Sequence, residues 1–218
     1  MSDFLWTRAE GDTPAAATLL LAHGAGAAMD SGFMNRFAGH AAKAGLDVAR
    51  FEFAYMAGRR DGGRKRPPPK ADLLIGEFQT ALQTLLATCP GPVLIGGKSM
   101  GGRVAAMLAA SPSLPKRVTG VVCLGYPFHP QGDAGNWRLA PLEETRRPVL
   151  IAQGDRDGFG NVAELADVAL PETVRLFFLE DGNHDLAPRG ASPATWDGNL
   201  AQAARETAVF AASLTEAK

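Results

Sequence analysis

Apolar runs of strand length alternate with stretches of helical period along most of this chain. That alternation predicts an α/β fold, a three-layer αβα sandwich around a mainly parallel sheet. Two further observations agree. The apolar runs are continuous rather than alternating with polar residues, as strands buried on both faces must be. The length, 218 residues with 46% hydrophobic and 21% charged, suits one α/β domain, 1–218, with a substantial core.

Strands are expected at Thr18 to Ala22, Asp47 to Phe53, Pro92 to Ile95, Val118 to Leu124, Pro148 to Ala152 and Val174 to Leu179, with Phe4 to Arg8 as an added edge strand. A first helix is expected from about Gly32 to Lys43, with Asp30 or Ser31 as N-cap. A second runs from about Ala71 to Thr88, placing Leu73, Leu74, Phe78, Leu82 and Leu85 at helical spacing. A third opens after Ser99, turns Val104, Met107 and Leu108 toward the sheet, and ends near Ser111-Pro112. The last spans roughly Pro193 to Leu214, with Ser192 as cap and Pro193 at the first helical position. The segment from Gly58 to Lys70 carries six basic residues against one acidic, a formal +5; its glycines and Pro67-Pro68-Pro69 exclude strand and helix and predict an exposed loop.

A formal net charge of −1 gives no electrostatic case for nucleic acid or an anionic membrane. No apolar run reaches the roughly 20 residues that span a bilayer, and the first residues do not read as a secretory signal. Two cysteines, Cys89 and Cys123, are too few for a disulfide framework and read as reduced thiols of a cytoplasmic protein. They and four scattered histidines give no ligand spacing such as CxxC or HExxH, so no metal is expected. Gly24 and Gly26 begin a dinucleotide fingerprint, but Met29 stands where its third glycine belongs.

The chemistry concentrates at Gly97-Lys98-Ser99-Met100-Gly101, a GxSxG placed between an apolar run and a helical pattern. A strand that turns sharply into a helix brings backbone close around the serine, and glycines admit that approach. Gly97-Lys98-Ser99 also spells the end of a nucleotide-binding loop, but the first glycine of that motif falls at Pro92 and its phosphate-cradling residues read as strand. A nucleophilic serine needs a base and an acid to orient the base. Of the histidines, His184 alone follows the last strand in a polar loop; His23 shapes the glycine-rich loop after the first strong strand, and His40 and His129 read as surface or packing residues. Asp155 and Asp157 both follow the strand ending at Ala152, and the chemistry of the residues does not separate them.

The segments LLLAHGAG at Leu19 to Gly26, GGKSMGGR at Gly96 to Arg103, AQGDRDGFG at Ala152 to Gly160 and GNHDL at Gly182 to Leu186 together resemble the small serine α/β hydrolases. Among them the chain is most similar to short bacterial predicted hydrolases related to dienelactone-hydrolase-like enzymes. The resemblance covers nearly the whole chain and implies an α/β-hydrolase fold with a sheet of about six to eight strands. It selects Asp157 of the GxxD turn as the acid, beside Ser99 and His184, and implies an oxyanion hole from the amides of Met100 and Ala25. Dienelactone hydrolases use cysteine where this chain has Ser99, so their particular reaction does not carry over.

The implied function is a serine hydrolase of the carboxylesterase or thioesterase kind, acting through an acyl-enzyme on a small acyl substrate without a cofactor. Only about two dozen residues separate the fourth strand from Pro148, too few for a cap domain, so the site is expected to be open. Tyr126, Phe128 and Trp137 from that segment are candidates to line it, Arg64, Lys65 and Arg66 are candidate contacts for an anion, and Lys98 is either a solvated helix-entry residue or another such contact. The competing expectation is a vestigial hydrolase fold that binds a partner through the basic loop 58–70.

Overall fold

A computed structural model describes residues 4–11, 13–60, 62–64 and 67–216. Seven strands form one sheet: β1 (Leu5–Thr7), β2 (Ala17–Ala22), β3 (Leu46–Phe51), β4 (Val93–Lys98), β5 (Val118–Leu124), β6 (Val149–Gly154) and β7 (Val174–Leu179). Their spatial order is β1-β3-β2-β4-β5-β6-β7, parallel throughout except for β1, which pairs antiparallel with β3 at the edge.

The side-chain period of two sorts each strand between two cores. Leu20, Ala22, Ile95, Cys123 and Ile151 face one core. Leu19, Leu21, Leu94, Val122 and Leu150 face the other. Every residue of β2, β4 and β6 is buried, which explains their unbroken apolar runs. Burying each such Leu, Ile or Val contributes about 1.5–3 kcal/mol. The first core is closed by α3 (Ile75–Thr88) and α4 (Met100–Ala109), the second by α1 (Gly32–Lys43) and α7 (Trp196–Glu216). The result is the three-layer α/β-hydrolase architecture, and the residues between β5 and β6 add just one four-residue helix, α5 (Ala140–Glu143), to its surface rather than a cap domain.

The structure corrects the sequence reading in several places. Residues Ala54–Arg60 form helix α2, which takes in Gly58, Arg59 and Arg60 of the expected loop. Arg60 holds the carboxylates of Glu52 and Asp30 at 2.6 and 2.9 Å, and Arg59 lies over the Tyr55 ring, so these cations are anchored rather than free in solvent. The Ala71–Leu74 stretch winds as a 3₁₀ turn before α3, and that tighter turn leaves Leu73 68% exposed while Leu74 is buried. Ser31 occupies the N-cap of α1 without a side-chain capping bond, and Asp30 pairs with Arg60 instead. Helix α7 begins at Trp196, not Pro193: the Thr195 hydroxyl accepts the Gly198 amide, while Ser192 closes a turn with Ala194. A second short helix, α6 (Val162–Leu165), was not expected; Asn161 and Glu164 close a capping box there. No helix among the described residues is long and apolar enough to cross a membrane.

Candidate active site

Topology sets where the site forms. The chain leaves β2 for β3 on one side and returns to β4 on the other, so the loops after β2 and β4 diverge at a crevice beyond the carboxyl ends of these strands. The loop after β2 carries His23 to Gly26, and Ser99 follows β4 directly.

Ser99 holds φ 51° and ψ −115°, a left-handed conformation that costs a non-glycine residue on the order of 1–3 kcal/mol. Its amide donates to the Leu124 carbonyl at 2.9 Å, and its carbonyl accepts from Arg103 at 3.1 Å as the first hydrogen bond of α4. The Met100 amide lies ahead of that bond, among the donors that a helix leaves unpaired at its start. The turn closes because of its glycines. A Cβ on Gly97 would stand 2.5 Å from the Gly101 carbonyl carbon, and one on Gly101 would stand 2.6 Å from the His23 carbonyl oxygen. Both obstacles are backbone and cannot rotate away. Gly97→Ala is therefore expected to destabilise the fold by about 1–3 kcal/mol, several degrees in Tm by thermal unfolding.

Around this turn three side chains join in series. Ser99 Oγ lies 2.8 Å from His184 Nε2. His184 Nδ1 lies 2.8 Å from Asp157 Oδ2 and 3.1 Å from Oδ1. Asp157 is fully buried, accepting also from Gln153 Nε2 at 3.0 Å and the Phe159 amide at 2.9 Å. Asp155 faces away and accepts the Asp181 amide at 2.9 Å, so the residue hydrogen-bonded to His184 is Asp157. The Phe159 ring packs 4.3 Å from the imidazole.

The loop bearing His184 is tied down on both sides. Asp181 takes Arg156 Nε at 2.7 Å and Arg189 Nε at 2.8 Å, and these guanidinium groups hold its carboxyl well below the usual range. Asn183 Oδ1 accepts the amides of Asp185 and Ala187, and Asn199 Nδ2 donates to the carbonyls of Glu180 and Leu186.

His23 is buried beneath the β2 loop. The Phe53 amide donates to its Nε2 at 3.2 Å, so Nδ1 carries the proton and donates to the Gly24 carbonyl at 2.6 Å. Burial lowers its pKa below 6.5, with the Gly24 carbonyl opposing. Unfolding therefore takes up a proton as pH falls below 6.5, and this group adds an increasing stability penalty there and none above. In an NMR titration the His23 ring resonance is expected to keep its neutral position at pH 6.5, where an ordinary imidazole is half protonated.

Two cavities flank Ser99. One, about 460 Å³, is lined by Ala25, Phe33, Met34, Lys98, His184 and Trp196. The other, about 440 Å³, is lined by Ala25, Met100, Arg103, Arg138 and Phe159. Lys98 is not solvated: it is 6% exposed, with Nζ 3.4 Å from Asp185 and 5.4 Å from the Phe33 ring centroid. Burial lowers its pKa, while Asp185 and Asp157 oppose the shift. A larger hollow of about 860 Å³, beside Trp6, Thr18 and Cys89, lies at the amino ends of the strands, and its charged pair Arg8 and Asp47 is mutually satisfied.

The expected lining residues do not line these cavities. Tyr126 and Phe128 are fully buried in the first core, their rings 5.0 Å apart, with the Tyr126 hydroxyl donating to the Arg138 carbonyl. Trp137 packs edge-on against buried His129. Arg64 is exposed and away from both cavities, and Lys65 and Arg66 lie outside the described residues. Sequence reasoning missed Gln153, Phe159, Arg103 and Arg138. For Gln153 a signal existed: an amide closing an otherwise apolar strand.

This fold and this arrangement define an α/β hydrolase, and the family comparison agrees: residues 15–212 match the family described as "Alpha/beta hydrolase domain", to which the chain belongs. Its solved structural relatives include a dienelactone hydrolase from Anabaena variabilis, 22% identical with a TM-score of 0.67, covering 94% of this chain and 88% of that one. A lidless α/β serine hydrolase from Xanthomonas campestris is 18% identical, TM-score 0.68, covering 94% of each chain. The esterase domain of a Rhodothermus marinus protein is 18% identical, TM-score 0.66, covering 95% of this chain and 91% of that one. At these identities the likeness is one of fold.

Proposed function

We propose that this protein is a serine hydrolase that cleaves a small ester or thioester through an acyl-enzyme. The observation that carries the reading is the unbroken chain from Ser99 Oγ through His184 to buried Asp157. Asp157 accepts the Nδ1–H of His184, which leaves Nε2 free to take the serine proton as Oγ attacks the substrate carbonyl. The amides of Met100 and Ala25 receive the resulting oxyanion; backbone donors are already aimed, so little reorganisation is needed as charge develops. His184 then protonates the departing oxygen or sulfur, and next deprotonates the water that releases the acid and frees Ser99. No cofactor enters these steps.

The absence of a cap and the modest cavity beside Lys98 favour short acyl groups. Across p-nitrophenyl esters and matched acyl thioesters, kcat/KM is expected to peak at chains of about four to six carbons and to fall at least tenfold by about twelve. A flat or rising profile would remove the small-substrate part of this reading.

A further inference from the structure

Most arginines in this chain have visible employment. Arg117 and Arg147 donate to backbone carbonyls, and Arg60, Arg156 and Arg189 hold carboxylates. Arg103 and Arg138 differ. Both line the cavity of about 440 Å³ that opens on Ser99, and among the described residues neither guanidinium has a hydrogen bond or an ion pair. Arg103 Nε is buried with no acceptor at all. Leaving a buried charged donor unsatisfied costs more than an ordinary hydrogen bond returns, so such a group needs an explanation.

The two cations also act on each other. Burial and the charge of Arg103 lower the pKa of Arg138, opposed by Tyr126 and Asp133. Like charges held together without a counterion are destabilising unless something arrives between them. Their placement is fixed in advance. Arg103 rides on the first turn of α4, directly after Ser99. The backbone at Arg138 is pinned by its amide to the Phe128 carbonyl at 2.7 Å and by the Tyr126 hydroxyl to its own carbonyl at 2.8 Å. Lys70 and Asp72, both exposed, line the same wall with opposite charges, and among the described residues neither forms an ion pair with Arg103 or Arg138.

We propose that the Arg103–Arg138 cavity beside Ser99 binds an oxyanionic group, a carboxylate or a phosphate, carried by the ester or thioester that Ser99 attacks. This rests on the hydrolase reading given above. Guanidinium groups match planar and tetrahedral oxyanions with paired donors, and a ligand anion relieves the repulsion between the two cations. The opposite cavity, with Phe33, Met34 and Trp196, suits an apolar group. The substrate is then an asymmetric one: an apolar half on the His184 side and an anionic half on the Met100 side, with the scissile carbonyl between them at Ser99.

The test uses the full chain and ester pairs that differ by one charge. p-Nitrophenyl hydrogen adipate against p-nitrophenyl methyl adipate places the charge in the acyl half. p-(Butyryloxy)benzoate against its methyl ester places it in the leaving half. The wild-type protein is expected to favour the anionic member of one pair by about tenfold or more in kcat/KM, and Arg103→Gln and Arg138→Gln are each expected to shrink that ratio about tenfold. Arg175→Gln, in an exposed ion pair with Glu206, is the control and keeps the ratio. The pair that responds assigns the half, and its phosphonate analogue separates carboxylate from phosphate. Ratios near one in both pairs, or a ratio that both arginine variants leave intact, would overturn the proposal. Binding of monomethyl adipate and p-butyramidobenzoate to Ser99→Ala protein, measured by calorimetry with and without Arg138→Gln, reads the subsite without turnover. Hydrolysis of neutral esters with no charge preference and no binding defeats the subsite alone. Arg138-dependent binding without any hydrolysis supports the subsite and defeats the catalytic reading.

Discussion

Ser99→Ala is expected to lower kcat for p-nitrophenyl butyrate by about 10⁴-fold or more while the protein stays folded. In the proposed mechanism the serine supplies the atom that forms the acyl bond, and neither cysteine of the chain can stand in for it. Cys123, the thiol closest in the sheet, is fully buried on β5, and burial pushes its pKa up, so no thiolate is available to substitute. The substitution also has little structural consequence. The backbone strain at position 99 is borne by alanine as by serine, and the lost hydroxyl bonds to His184, whose loop is held independently through Asp181, Asn183 and Asn199. Equal circular dichroism and Tm for the two proteins therefore accompany the lost rate.

Asp157→Asn is the second large effect. The buried carboxylate accepts from three donors, His184 Nδ1, Gln153 Nε2 and the Phe159 amide. An asparagine amide placed there presents a donor toward His184 and favours the tautomer with its proton on Nε2, facing Ser99 Oγ, where it cannot accept the serine proton. Loss of the correct tautomer costs on the order of 10⁴-fold in kcat in the comparable serine protease arrangement. Because the defect lies in the tautomer and not in binding, KM is expected to move little, and steady-state kinetics separate the two. Asp155→Asn is the contrast: its carboxylate takes the Asp181 amide, so its expected effect is on the stability of the His184 loop and not on the chemistry.

The sheet was legible because its central strands are buried on both faces and so read as continuous apolar runs, Val118–Leu124 among them; the half-buried edge strand Val174–Leu179 also falls where the sequence places it. Short helices were not. Four residues at Ala140–Glu143 or Val162–Leu165 are too few to establish a period, and α2 hides its helical turns behind Gly58 and a basic cluster that ion pairs hold in place. The start of α7 was misplaced because Ser192 and Thr195 both carry capping hydroxyls, and the sequence does not say which one is spent on a turn.

For the site, order along the chain was enough to gather Ser99, His184 and the pair Asp155 and Asp157, because the loops at one end of a parallel sheet must meet; the resemblance chose Asp157, and only the folded turn shows Asp157 at His184 and Asp155 at the Asp181 amide. It was not enough for the cavity walls. Tyr126 and Phe128 have the apolar character of a pocket wall and of a core alike, and the hydrogen bond from Tyr126 to the Arg138 carbonyl, which turns the ring inward, joins residues twelve positions apart. Arg103 and Arg138 read as ordinary surface arginines until the fold brings both to one cavity, where among the described residues neither has an ion pair.

The proposed chemistry requires Ser99 to be an activated nucleophile. Incubating the folded protein with a fluorophosphonate and locating the adduct by intact mass and peptide mapping probes this, since the serine oxygen displaces fluoride from phosphorus only where a base withdraws its proton. One adduct per chain is expected, on Ser99, absent in Ser99→Ala and formed far more slowly in Asp157→Asn. Folded wild-type protein that carries no adduct, or an adduct that survives Ser99→Ala, would contradict it.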